Sequence, residues 1–353
     1  MTIAANTFQN FPDVKTHNRT LVRMWLYCVC LLVFVMVIVG GATRLTDSGL
    51  SITEWKPLLG AIPPLNANDW QIAFDKYRQI PEYTQINKGM SLAEFKFIYW
   101  WEWGHRFLGR LIGLFVAIPL VLFWVTGRLE SFMKPRLVLL FMLGGLQGVI
   151  GWWMVKSGLV DRVDVSQYRL AVHLTLACLI FAYALWLARG LAPHSNEHSS
   201  IVVNRLAPVV FLAIVFQIFL GALVAGMDAG LAFNDWPLMD GAVIPSDLWL
   251  QNPVWINLFE NPKTVQFIHR MSAYAVLILI AAQMVLALRS DSGDTHKRRT
   301  VMLLVVAVAQ AAIGVATLVL QVPLSWALLH QGGAVILLAA AVAHWRGTIG
   351  SYA

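Results

Sequence analysis

Tyr99-Trp100-Trp101-Glu102-Trp103-Gly104-His105-Arg106 stands at the head of a long apolar run, about 105–126, and its reading decides the fold. On a helix, Glu102 and His105 are three apart and share one face. A carboxylate, an imidazole and a guanidinium then collect at the mouth of a membrane span, where ionisable groups are expensive and usually functional. Taken alone, the run reads equally well as an interfacial belt, because Trp and Tyr gather where lipid meets water. The rest of the chain separates the two.

Only 13% of the 353 residues are charged, 58% are hydrophobic, and the mean hydropathy is +0.65. A soluble domain carries about 25% charged residues, so a polytopic membrane protein is expected. Eight apolar stretches approach the ~20 residues a crossing helix needs: about 21–43, 105–126, 136–156, 168–188, 206–226, 265–288, 300–321 and 324–345. Lys15, Arg19 and Arg23, then Arg128, Lys134 and Arg136, then Arg189 and Arg205, then Arg289, Lys297, Arg298 and Arg299, and finally Arg346 all fall on one side. The orientation rule makes that side cytoplasmic, with both termini inside and residues 1–20 a cytoplasmic tail. The net charge of +7 is therefore a topology signal and not a nucleic-acid footprint. Cys28, Cys30 and Cys178 lie in apolar runs without a Cys-x-x-Cys and read as small apolar residues. The polar N-terminus has no signal-peptide core or cleavage site, so the first apolar run is expected to stay as a span.

The opposite side carries two long loops, about 44–104 and 227–264, and these expose an internal repeat. Asp47-Ser48-Gly49-Leu50 matches Asp228-Ala229-Gly230-Leu231, Glu54-Trp55 matches Asp235-Trp236, and Gly60-Ala61-Ile62 matches Gly241-Ala242-Val243, all at an offset of 181. His105-Arg106 matches His269-Arg270 at an offset of 164, so the first loop is longer by 17 residues. Gln147 and Gly151 match Gln310 and Gly314, and His173 matches His330. The expectation is an all-α protein of eight transmembrane helices in two pseudo-symmetric four-helix bundles, 21–190 and 206–346, repeated in parallel about an axis along the membrane normal.

His105, His173, His269 and His330 lie on spans that all run from outside to inside, each within about two turns of the outer end. A lone histidine in an apolar helix is more often a satisfied core residue than a ligand. Two on alternate helices, recurring in a second bundle, suit a haem gripped by imidazole on both faces. Zinc or a di-iron centre would want thiolates or carboxylates among the ligands. Up to two haems are thus expected: His105 with His173, and His269 with His330. Arg106 and Arg270 diverge from the neighbouring histidine by about 100°. They can reach a haem propionate or snorkel to the interface. His17, His194, His198, His296 and His344, in or beside cytoplasmic connections, read as solvated. Glu102 has Gln266 as its counterpart. A carboxylate can carry charge or take a proton and an amide cannot, which points to chemistry in the first half and a fixed cofactor in the second. An ion pair of Glu102 with Arg106 is the plainer alternative.

The strings Gly40-Gly41-Ala42-Thr43-Arg44-Leu45-Thr46-Asp47-Ser48-Gly49-Leu50-Ser51, Glu54-Trp55-Lys56-Pro57, Glu94-Phe95-Lys96 through Tyr99 to Arg106, and, in the second half, Asp228 to Leu231, Asn234-Asp235-Trp236-Pro237 and His269-Arg270 resemble the heme A synthase family in its proteobacterial and mitochondrial branch. The resemblance spans about residues 20–346. It implies oxidation of a ring methyl of haem O to the formyl of haem A, through an alcohol and a hydrated aldehyde that loses water. It implies haem B on His269 and His330 (near Arg270), substrate haem on His105 and His173 (near Arg106), and Glu102 as the essential outer glutamate. It also implies a bacterial inner-membrane location with haem sites near the periplasmic face, heme O synthase as donor, and cytochrome c oxidase assembly as destination. A homo-oligomer is left open, and no nucleic-acid partner is expected. The outer-loop cysteine pairs of some family members have no counterpart here. A di-haem cytochrome exchanging electrons with quinone would use the same histidines without needing Glu102. A repeat-built transporter would hold no haem.

Overall fold

A backbone inside lipid must satisfy its own hydrogen bonds, and each apolar run does so as a helix. The computed structural model describes residues 14–57, 59–160, 162–194 and 197–352. In chain order the helices are α1 (Val14–Leu45), α2 (Ala67–Tyr77), α3 (Pro81–Gln85), α4 (Leu92–Val125), α5 (Met133–Lys156) and α6 (Gln167–Gly190), then α7 (Ile201–Gly226), α8 (Asn257–Glu260), α9 (Pro262–Arg289), α10 (Asp294–Val319) and α11 (Leu324–Ile349). Among the described residues, eight of these are long and apolar enough to cross a membrane: α1, α4, α5, α6, α7, α9, α10 and α11. Each overlaps one of the eight expected spans, and the protein is an all-α polytopic membrane protein.

Neighbour relations close two rings. Helix α1 touches α4, α4 touches α5, α5 touches α6, and α6 returns to α1. Likewise α7 touches α9, α9 touches α10, α10 touches α11, and α11 returns to α7. The rings meet through α6 with α7, α6 with α11, and α1 with α11. This pattern maps onto itself when α1 is exchanged for α7 and α6 for α11, and is consistent with two related four-helix units. The seam helices are the more buried, while α4 and α5 turn Leu111, Leu114, Ile118, Leu139 and Met142 outward. The central apolar cluster runs through the seam, with Leu26, Val29, Cys178, Leu187, Ile214 and Leu338 among its members.

The repeat extends to local geometry. Asp47 and Asp228 both adopt left-handed backbone, φ +48° and +49°, a region that Asp tolerates better than most residues. Arg44, at the end of α1, reaches across the seam to Asp228 Oδ2 at 2.8 Å and the Ala225 carbonyl at 3.3 Å, and lies 3.5 Å from Asp47 Oδ1.

Several expectations are revised. Helix α4 starts at Leu92, thirteen residues before His105, because Ser91 and Glu94 form a capping box that nucleates the helix above the apolar run. His105 is therefore more than two turns inside its helix. Residues 1–13 of the expected tail lie outside the described residues, and from Val14 the chain is already helical. Its polar first turns are held by Glu130, which pairs with Lys15 at 3.5 Å and Arg19 at 2.6 Å. Cys28 is exposed on the outer face of α1, whereas Cys30 and Cys178 are buried. His296 and His344 are not solvated: each is only 2% exposed. The inner ends of α10 and α11 close over them, with Gln283 Nε2 3.0 Å from His344 Nε2 and the Glu197 carbonyl 3.3 Å from His296 Nε2.

The seam is close-packed where Gln331 Nε2 donates to the Val37 carbonyl at 2.6 Å, directly over Gly41. A Cβ on Gly41 would lie 2.8 Å from Gln331 Cδ. Gly41→Ala should break that hydrogen bond and lower stability by about 1–2 kcal/mol. In a Gln331→Ala background the same change should cost much less. Thermal unfolding of the four proteins in detergent measures the coupling, and additive losses would disprove the contact.

Candidate functional site

The four histidines fall two to each ring of helices: His105 on α4 and His173 on α6 stand on opposite helices of the first, and His269 on α9 and His330 on α11 on opposite helices of the second. All four rings are half-buried. Each ring leans on a glycine of a neighbouring helix. A Cβ built on Gly151 would lie 2.9 Å from His173 Cε1, on Gly221 3.0 Å from His269 Cε1, and on Gly314 2.7 Å from His330 Cε1. On Gly40 it would lie 3.2 Å from His105 Nε2. Any larger residue would fill the space that the imidazole occupies.

Three rings are also clasped by a glutamine one turn before that glycine. Gln147 Nε2 lies 3.1 Å from His173 Nδ1 and 3.4 Å from its Nε2, and donates to the His173 carbonyl at 3.0 Å. Gln217 Nε2 lies 3.0 Å from His269 Nδ1 and donates to the His269 carbonyl at 3.0 Å. Gln310 Nε2 lies 3.1 Å from His330 Nδ1 and donates to the His330 carbonyl at 2.8 Å. The amide Oε1 of all three glutamines is buried without a partner. The pairs Gln147/Gly151 and Gln310/Gly314 are visible as sequence matches, but their function as ring clasps is not. Gln217/Gly221 was missed, although the offset of 181 carries it onto Met36/Gly40.

Glu102 and Arg106 are brought together as the plainer alternative expected. Glu102 is 2% exposed, and its Oε1 accepts from Arg106 Nη2 at 2.5 Å. Its Oε2 accepts from Ser51 Oγ at 2.8 Å and the Ile52 backbone N–H at 2.6 Å. Arg106 donates to the carbonyls of Ile52 at 2.7 Å and Glu54 at 2.9 Å, with its guanidinium over the Trp152 ring, which Trp55 stacks against. The second half repeats this grip residue for residue. Arg270 donates to the carbonyls of Phe233 at 2.8 Å and Asp235 at 2.9 Å, which match Ile52 and Glu54 at the offset of 181. Gln266 differs from Glu102 in polarity: its Nε2 donates to the Phe233 carbonyl at 2.9 Å, whereas Glu102 accepts from the Ile52 N–H. Both arginines thus spend their Nη donors tying an outer loop to the helix that carries the adjacent histidine, and they do not snorkel freely. Arg270 Nε stays buried and unpartnered.

The extra length of the first loop is folded as α2 and α3. Trp70, Phe74, Tyr77, Tyr83, Phe95 and Tyr99 form an aromatic cap there, with Phe74 and Phe95 centroids 5.0 Å apart. Such pairs add about 0.5–1.5 kcal/mol each beyond area burial. Under the cap lies Glu82, 5% exposed, with its Oε2 unpartnered. Burial pushes its carboxyl up to about 8, and the charge of Glu102 adds to the shift. At the rim, hydrogen bonds from Lys76 and Lys56 hold the Glu54 carboxyl below its ordinary value.

Two imidazoles on opposite helices of each ring, each seated on a glycine, are the neutral nitrogen donors that haem iron takes. The cradles are too polar for core packing alone: each clasp leaves an orphaned amide oxygen, which costs about 1–3 kcal/mol.

Comparison with known proteins adds the following. Residues 23–342 match the COX15-CtaA family, described as cytochrome oxidase assembly protein. A protein of Chelativorans sp. (strain BNC1), named heme A synthase, is 57% identical over 353 residues, covering 99% of this chain and 98% of its own. Proteins with the same name from Sinorhizobium fredii (strain NBRC 101917 / NGR234) and Rhizobium meliloti (strain 1021) are each 56% identical, covering 96% and 95% of this chain and 93% and 92% of theirs.

The neutral acid under the cap has a measurable signature. A carboxyl whose folded pKa lies near 8, against an ordinary 4.5, binds its proton more tightly in the folded protein. Its contribution is whole below the ordinary value and is lost as pH rises toward 8, with a slope of at most about 1.4 kcal/mol per pH unit. Glu82→Gln, neutral throughout, should flatten that fall and leave the variant more stable than the parent at the alkaline end. Thermal melts in detergent from about pH 5 to about pH 8 test it; parallel profiles would show that another group titrates.

Proposed function

We propose, because the chain belongs to the COX15-CtaA family of cytochrome oxidase assembly proteins, that it makes haem A from haem O for cytochrome oxidase. Relatives named heme A synthase, matched along nearly their whole lengths, carry this reading. They do not favour a di-haem cytochrome.

The finer assignments rest on the chemistry of the residues. Residues 21–190 form the substrate unit, with haem O between His105 and His173. Residues 206–346 form the cofactor unit, with haem B between His269 and His330. When bound, haem B would supply a redox-active iron. The ring methyl is hydroxylated to an alcohol and then to a hydrated aldehyde, with an external oxidant taking up the electrons and water or dioxygen supplying the oxygen, and loss of water leaves the formyl group. Glu102 lies one helical turn outside His105 on the same face of α4, about 4.5 Å along the axis. There it acts on the methyl being oxidised, taking a proton or stabilising developing positive charge. Arg106 and Arg270 hold the outer loops as roofs over the two sites, and Arg270 Nε is free to meet a propionate. The basic loops support a bacterial inner-membrane location with both termini in the cytoplasm and the haem sites near the periplasmic face. Haem O then arrives from a heme O synthase, and haem A leaves toward cytochrome c oxidase assembly.

Extraction and chromatography of the haems from the purified protein tests the reading: haem B together with haem O or haem A is expected, and a colourless protein would end it. Glu102→Gln should cut haem A formation by about 100-fold or more, with haem O or the alcohol accumulating. Normal haem A from that variant would remove Glu102 from the chemistry. Loss of His269 or His330 should deplete haem B, and loss of His105 or His173 should chiefly impair haem O handling. Equal depletion of both haems in all four variants would undo the division between the halves.

A further inference from the structure

At the end of the bundle away from the four histidines, Arg189 on α6, Arg299 on α10 and Arg346 on α11 converge. Arg346 brings Nη2 to 2.8 Å from where a Cβ on Gly190, beside Arg189, would stand. Arg299 lays Nη1 over Gly347, the residue after Arg346, where a Cβ would collide with it. Burial, and with it the charges of all three arginines, lowers the pKa of His194 in the loop after α6. Among the described residues, none of the three guanidinium groups donates a hydrogen bond or joins an ion pair. Arg106 and Arg270 commit their Nη donors to carbonyls; Arg346, only 3% exposed, does not. Its guanidinium lies 5.1 Å from the Trp186 ring centroid and 4.3 Å from that of Tyr352. Those contacts hold the group in place and use none of its N–H donors. The Nε atoms of Arg189 and Arg346 are buried without a partner. Glu197, in the adjoining loop, is engaged elsewhere: its two oxygens accept from Thr295, at 2.7 Å from the backbone N–H and 2.6 Å from Oγ1.

The repeat separates this cluster from the ordinary basic ends of membrane helices. Arg189-Gly190 matches Arg346-Gly347 at the offset of 157 that joins His173 to His330, and Arg136 matches Arg299 at the offset of 163 that joins Gln147 to Gln310. In the first half the chain itself fills the seat over the glycine. Tyr352 donates its N–H to the Gly190 carbonyl at 2.8 Å and lays its ring on Gly190. Arg136 donates to the Phe132 carbonyl at 2.5 Å, with its guanidinium 5.3 Å from the Tyr352 ring centroid. In the second half the atoms nearest Gly347 are those of Arg299, and the arginines there lack both ring cover and an acceptor. Crowded guanidinium groups repel, and a buried one without a counter-charge is costly. We infer that Arg189, Arg299 and Arg346 form a binding site for a phosphate group. Its anionic oxygens match the guanidinium fork, and basic pockets between the cytoplasmic ends of membrane helices are places where lipid head groups bind. The phosphate is that of an anionic phospholipid or of a soluble anion, and half-buried Arg189 and Arg299 leave it a way in. The site is separate from the histidine seats and requires no haem.

The test is thermal unfolding of the full-length protein in a neutral detergent at constant ionic strength. Phosphatidylglycerol and inorganic phosphate are titrated separately, with zwitterionic phosphatidylcholine and sodium chloride as their controls. Apparent affinity is read from the concentration dependence of the shift in Tm. The parent should be stabilised beyond the controls. A shift with phosphatidylglycerol alone identifies a lipid head group, a shift with phosphate alone a soluble anion, and a shift with both the phosphate group itself. Arg299→Gln and Arg346→Gln should each weaken the apparent affinity by about 10-fold or more, the loss expected for a hydrogen bond to a charged group. Arg298→Gln removes the same charge from an exposed neighbour and should leave the affinity unchanged. If Arg346→Gln does not fold, Arg299→Gln and Arg189→Gln decide. Equal weakening in Arg298→Gln would reveal a general charge effect and overturn the inference. A parent stabilised no more by either phosphate source than by its control overturns it as well.

Discussion

An imidazole wedged between two membrane helices needs a neighbour with no side chain. Gly40, Gly151, Gly221 and Gly314 meet that need, with only 2.7–3.2 Å between a hypothetical Cβ and the ring. The rest of the outer half follows from it. The helices bearing the histidines stand close enough for a glutamine one turn away to reach both the ring and its carbonyl. The clasp in turn leaves a buried amide oxygen unpaired, an expense that packing alone would not retain. Depth in the bundle is set by the apolar runs, whereas ring orientation is set by a handful of polar contacts inside them.

The second constraint is the tie between outer loop and helix. Arg106 and Arg270 perform the same task on carbonyls equivalent by the repeat. The halves part at the residue four before each arginine. In the first, a carboxylate completes a network of Ser51, Ile52 and Arg106. In the second, an amide points its donor at a carbonyl. One substitution thus reverses the polarity of the group beside the arginine while leaving the tie in place, and among the described residues the aromatic cap with Glu82 stands on the carboxylate side.

The spans were legible in the sequence because apolar length leaves a distinctive trace, and the helix contacts are consistent with the repeat that a constant offset traced. The start of α4 was not read, although Ser91 and Glu94 stood at capping-box spacing, because apolarity marks where lipid begins and not where a helix begins. The arginine grips were hidden because their partners are backbone carbonyls, which every residue owns. The enclosure of His296 and His344 depends on how the inner ends of α10 and α11 fold over a connecting loop, and charge counting cannot see that. Met36 against Gln217 was within reach of the offset already in hand, but a methionine in an apolar run draws no notice until the residue it replaces is known to hold something.

Arg44 shows what the seam has become. Contacts between the two rings follow a two-fold exchange of α1 with α7 and α6 with α11, as the interface between identical subunits would. At the place where α1 has Arg44, α7 has Ala225, and the arginine donates to that alanine's own carbonyl before pairing with Asp228. Two identical polypeptides meeting here would carry either two arginines crowding one another or two alanines with nothing to give. Joining the halves in one chain lifts the requirement of self-complementarity. Each half is then free to change without a matching change in the other.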